Sequence, residues 1–120
     1  MNTLNNNLEI ARGTIVMVDL PTGNGSVQGG TRPAVVISNN RGNKFSPVLI
    51  VIPLTSRTKK PIATHHNIIP SSINGLAATS IALCEQIITV GKDKIRNIVG
   101  ALSGDDMDMI NYKIKISLSL

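Results

Sequence analysis

Aromatic side chains are nearly missing from this chain, which has one Phe, one Tyr and no Trp in 120 residues. RRM-like and OB-like nucleic-acid modules depend on aromatic platforms for stacked bases, and Phe45 and Tyr112 alone cannot make one. Cysteine is equally scarce. Cys84 alone cannot close an internal disulfide, which suits a reducing compartment. No apolar run approaches the ~18 residues that span a bilayer. The opening MNTLNNNLE lacks the charged and apolar regions of a secretory signal. The expectation is a cytoplasmic protein, with a flexible tail over residues 1–10 and a single domain over 11–120.

Negative charge is the third shortage. No acidic residue stands between Asp19 and Glu85, whereas Arg32, Arg41, Lys44, Arg57, Lys59 and Lys60 all fall in that span. The net charge is +5. A one-sign block in the folded middle implies a surface for a polyanion or an acidic partner, the plain alternative being a solvated basic face.

What is abundant is short β-branched runs. Gly13–Leu20, Arg32–Ser38 and Pro47–Leu54 read as strands bounded by turn residues. THHNIIP and TSIALCEQIITV read as two or three more, and Ile95–Leu102 as another. Close spacing and near-continuous apolar runs predict a strongly curved sheet or small barrel. One long helix is expected at the end, with Ser103 as N-cap and Asp106 completing a capping box. Met107, Ile110, Ile114 and Leu118 recur at helical spacing and are expected to face the sheet. SSING (71–75) has room for one short helical turn.

The chemistry narrows by elimination. One cysteine, two adjacent histidines and scattered acids give no metal-ligand spacing, and no metal or cofactor is expected. His65 and His66 are neighbours on a strand, so they point to opposite faces and cannot both bracket one phosphate. Cys84 sits among apolar and small residues and reads as core. The loop from Pro21 to Thr31 holds four glycines but no G-K-[ST], so it is read as a lid or clamp rather than a nucleotide-binding loop. Arg32 follows it and precedes Pro33, which biases Arg32 toward extended backbone at a strand mouth. Thr55 and Ser56 end the strand PVLIVIPLTS. Two strand ends on one rim would offer Arg32 and Thr55 to one phosphate, against the alternative of ordinary strand-end polarity.

RGTIVMVDL, GSVQGGTRPAVVIS, GNKFSP, IPLTS, THHNI, ALCEQI and the closing KISLSL together resemble the MazF/PemK toxins of bacterial toxin–antitoxin pairs, from about Arg12 to Leu120. The resemblance implies a mainly β fold with α, a small SH3-like barrel with a C-terminal helix, assembled as a homodimer. It implies a metal-independent, sequence-specific endoribonuclease on single-stranded mRNA, leaving 2′,3′-cyclic phosphate and 5′-hydroxyl ends. The family's catalytic pair falls on Arg32 and Thr55. Its substrate-binding positions fall on Ser26, Gln28, Ser56 and Gln86, and also on Arg12, Asn39 and Lys44. The implied partner is an acidic, MazE-like antitoxin. A guanidinium stays charged at neutral pH, so the role that suits Arg32 is stabilising the phosphorane. One departure stands out. Many members read G-S-E-Q where this chain has Gly25-Ser26-Val27-Gln28, and valine can neither accept a proton nor anchor a loop through charge. A non-cleaving RNA-binding module and a gyrase-poisoning toxin of the same fold remain the alternatives.

Overall fold

The computed structural model describes residues 9–25 and 27–120. Most of the expected N-terminal tail, residues 1–8, lies outside the described residues, as does Ser26. Ile10, at the end of that tail, already packs against a core cluster.

The described chain runs β1 (Thr14–Leu20), β2 (Gly30–Val36), α1 (Asn40–Phe45), β3 (Val48–Thr55), β4 (His65–Ile68), β5 (Ser80–Leu83) and β6 (Ile88–Gly91). A single 3-10 turn (Lys92–Lys94) then leads to β7 (Ile95–Ala101) and α2 (Gly104–Leu118). All pairings are antiparallel. The strand order is β4-β5-β3-β2-β1-β7, with β6 also on β3. The pairings branch at β3, and among the described residues β4, β6 and β7 each have a single strand partner.

The near-continuous apolar runs are explained by burial on both faces. Ile15, Val35, Ile52 and Leu54 join one cluster, which α2 covers with Ile110. The alternate residues Val16, Ala34, Val36, Leu49 and Val51 join a second cluster with Val90 and Ile95. A strand's period of two delivers each run to both cores.

THHNIIP and TSIALCEQIITV give three strands, the larger of the two expected numbers, because the chain turns at Cys84–Glu85. Ser71 and Asn74 close a turn through side-chain bonds to each other's backbone N–H, both 3.0 Å, so the SSING segment holds a turn and no helix. Ser103 caps α2 as expected, accepting from the Asp106 N–H at 3.1 Å. Met107, Ile110 and Ile114 face the core. Leu118 does not: it is 52% exposed.

Candidate active site

Strand register brings Arg32 and Thr55 together. The β2–β3 ladder pairs Val36 with Val51, Val35 with Ile52 and Ala34 with Pro53. Carried two residues further, the same register sets Arg32 opposite Thr55. The strands do not pair that far. Pro53 has no N–H to offer, and past it Leu54 and Thr55 stay paired only to Ala82 and Ile81 of β5, the strand on the other side of β3 from β2. A cavity of about 320 Å³ opens beside this divergence, with Arg32, Thr55, Ser56, Arg57 and Ser80 among its lining.

Thr55 is 4% exposed. Its hydroxyl oxygen accepts the Arg57 backbone N–H at 3.2 Å, which leaves its own proton to donate. The Arg32 Nε donates to the Gly29 carbonyl at 2.9 Å. One edge of the guanidinium is therefore spent on the loop, and its two terminal NH₂ groups remain for an anion.

The glycine loop is closed at its neck. A Cβ on Gly29 would collide with the Gly23 nitrogen and the Pro21 carbonyl, so two backbone stretches pass where only glycine fits. Beyond the neck, the Gln28 N–H donates to the Gln86 side-chain oxygen at 2.9 Å. This ties the loop to the turn that separates β5 from β6. Val27 is 55% exposed near the loop tip.

Gln28 and Gln86 thus meet each other, and Ser56 joins Arg32 and Thr55 at the cavity. Arg12, Asn39 and Lys44 are placed elsewhere. Arg12 donates through Nε to the Ile37 carbonyl at 2.7 Å and lines a separate cavity with Asn111 and Lys115. Asn39 is the N-cap of α1, accepting from the Gly42 N–H at 2.7 Å. The Lys44 ammonium lies 5.5 Å from the centre of the Phe45 ring. All three lie beyond the far end of β2 from Arg32, on the order of 13 Å or more along the strand at ~3.3 Å per residue.

The two histidines have separate partners. His65 Nε2 lies 3.1 Å from the Glu85 carboxylate, and His66 Nε2 lies 2.9 Å from that of Asp106 on α2. The Glu85 carboxyl sits below its usual range. Burial pushes it up, but its own backbone N–H, His65 and Thr64 outweigh that. Cys84 is fully buried in the core, and burial, helped by the Glu85 charge, pushes its thiol up to about 12. Among the described residues no three His, Cys, Asp or Glu side chains stand together as a metal site. None of their helices is long and apolar enough to cross a membrane.

Sequence reasoning missed the Gly29 carbonyl as the support of Arg32. The doubled glycine just before TRP was the available signal. It also left Arg57 without a role, although that residue lines the cavity.

The profile of PemK-like, MazF-like toxins of type II toxin–antitoxin systems matches residues 11–118. The chain is 40% identical over 109 residues to the endoribonuclease MazF of Staphylococcus saprophyticus, an overlap covering 91% of each chain. Its structure resembles a mycobacterial endoribonuclease solved in complex with its cognate antitoxin (TM-score 0.77, 26% identity, 92% of this chain and 96% of that one). It also resembles MazF from Deinococcus radiodurans (TM-score 0.79, 19% identity, 94% and 99%), a likeness of fold. With its sheet, C-terminal helix and a family match over residues 11–118, the chain belongs to the PemK-like, MazF-like toxins of type II toxin–antitoxin systems.

Proposed function

We propose that this chain is a metal-independent, sequence-specific endoribonuclease that cuts single-stranded mRNA in the cytoplasm. The attacking group is the RNA's own 2′-hydroxyl. Its oxygen bonds to the adjacent phosphorus as the bond from phosphorus to the 5′ oxygen breaks. The 2′ proton is lost and the departing oxygen gains one. The products are a 2′,3′-cyclic phosphate and a 5′-hydroxyl. The observation that carries the reading is the shared cavity of Arg32 and Thr55, set by strand register. The terminal NH₂ groups of Arg32 match the oxygens of a phosphorane, whose charge exceeds that of the ground state, so such donors favour the transition state. The Thr55 hydroxyl adds a donor. Gln28, Gln86, Ser56 and the loop at Ser26 hold the strand.

The strongly curved sheet is read as an SH3-like barrel, and the active form as a homodimer. Met109, Tyr112 and Ile116 on the outer side of α2 are exposed and suit cover by a second copy. The antitoxin in the mycobacterial complex supports a cognate antitoxin here, with an acidic segment on the basic surface.

The test is a long RNA incubated with pure protein in EDTA, with wild type beside Arg32→Ala. Sequence-restricted cuts by wild type and a loss of about a hundredfold or more in the variant, on the scale of a lost oxyanion donor, are expected. Val27 in place of a carboxylate favours one rival, a binding module without turnover. Binding without any cuts would establish that rival, and gyrase inhibition without RNA binding would establish a poison.

A further inference from the structure

A second cavity, of about 690 Å³, is a neighbour of the Arg32–Thr55 cavity and not part of it. Ser56 and Arg57 line both. Past them its lining includes Thr58, Lys59, Asn67 and Thr79, both histidines and Lys113, with Pro61 and Ile62 as an apolar side.

The charges here are unbalanced. Several cations elsewhere in the fold are engaged. Arg96 pairs with Asp19, Lys92 donates to the Asn43 carbonyl, and Lys113 donates to the His65 carbonyl at the cavity's edge. Arg57 and Lys59 have no side-chain partner among the described residues. The nearest acids, Glu85 and Asp106, are taken up by His65 and His66, and neither lines the cavity. Two free cations, three hydroxyls and one amide around an open volume make a receptor for an anion with polar neighbours. The volume lies within the ~300–1,000 Å³ of ordinary ligand sites. Arg57 bridges this volume to the reacting phosphate's cavity, so one chain of regularly spaced phosphates can occupy both.

We propose that the RNA strand continues from the Arg32–Thr55 cavity over Ser56 and Arg57 into this second cavity, where Lys59 and the Thr58 and Thr79 hydroxyls hold its phosphates beyond the cut. The inference rests on the ribonuclease reading and extends it. It assigns the basic stretch Ser56–Lys59 to substrate length: contacts away from the reacting bond raise kcat/KM for long RNA over short RNA.

The experiment compares the shortest RNA that wild type cuts with the same RNA lengthened on its 5′ or its 3′ side. The proteins are wild type, Lys59→Ala, Lys59→Glu and Lys60→Glu. Lys60 is exposed, next in sequence and outside the cavity's lining, so it controls for net charge. Lengthening on one side should raise kcat/KM for wild type. Lys59→Ala should cut that advantage about threefold and flatten the log–log salt slope for long RNA by about 0.7, the share of one single-strand contact. Lys59→Glu should remove most of the advantage, and Lys60→Glu should keep it. No length advantage in wild type, or equal losses from Lys59→Glu and Lys60→Glu, would overturn the inference and leave the ribonuclease reading standing. So would a Lys59→Glu protein that keeps the advantage but no longer binds polyglutamate, since the cavity would then belong to an acidic protein. If wild type cuts no RNA at all, the ribonuclease reading falls first and this one with it.

Discussion

Arg32 is held by its own loop, its Nε donating to the Gly29 carbonyl at 2.9 Å. The bond fixes where the guanidinium's free end points. Gly29→Ala would force the Gly23–Gly29 neck apart and carry that carbonyl with it. Misplacing a reacting group by about 1 Å can cost ~10²-fold, so the single-turnover rate should fall by roughly 10- to 100-fold with little change in melting temperature. Gly25→Ala is the comparison, since a Cβ there meets nothing within 4 Å. It strains a left-handed residue without opening the neck, and should cost much less activity. Equal losses in the two variants would mean that the loop's general order matters and the Gly29 carbonyl does not.

Thr55→Val keeps shape and removes the hydroxyl. The cleavage rate should fall at least tenfold, or ~1.4 kcal/mol of barrier. The Arg57 N–H also loses its acceptor, at a cost of about 1 kcal/mol in stability. Thr55→Ser restores both groups and should recover most of the rate. A valine variant that unfolds earlier yet cuts at the wild-type rate would reduce Thr55 to a structural residue.

Gln86→Ala removes the acceptor that ties Gln28. A net hydrogen bond is worth about 0.5–1.5 kcal/mol, so RNA affinity should weaken roughly 2- to 12-fold, seen more in KM than in kcat. Gln86→Glu keeps an acceptor for the Gln28 N–H but adds negative charge facing RNA. Hydrogen exchange at Gln28 should therefore rise in the alanine variant and stay low in the glutamate one, while both bind RNA less well.

Glu85 makes stability sensitive to acid. Its folded carboxyl lies below the usual 4.5, because hydrogen bonds outweigh burial. Such a group binds protons more readily when unfolded, so its stabilisation is complete above pH 4.5 and is lost as pH falls through the lower folded value. Melting temperature should decline over that range in wild type, and Glu85→Gln should flatten the decline. An identical pH profile in the two proteins would rule out this carboxylate as a source.

The strands and α2 were legible because their signals are local: β-branched runs, turn residues, and a serine cap with an acid three residues on. Arg32 was legible from the oddity of a charge at the mouth of an apolar run. Its meeting with Thr55 was expected from two strand ends on one rim; the register that sets it, and the cavity they share, became visible only in the fold. Helix α1 was not legible. NRGNKF has no apolar period and contains Gly42; its start depends on the Asn39 cap, and the Asn43 amide returns to the Ser38 carbonyl. Leu118 keeps the helical spacing yet is exposed. Arg12, Asn39 and Lys44 lie beyond the far end of β2 from Arg32, a separation that positions along the chain do not carry.

Cys84 gives the protein a built-in clock. A thiol reacts as its thiolate, and this one is buried, neutral to about pH 12, and capped by Ser117, whose hydroxyl donates to its carbonyl. A thiol reagent therefore consumes the chain only as fast as the core between the sheet and α2 opens. With no second cysteine to confuse the signal, labelling kinetics count openings directly. They would register any ligand that slows those openings, whether or not it is ever cut.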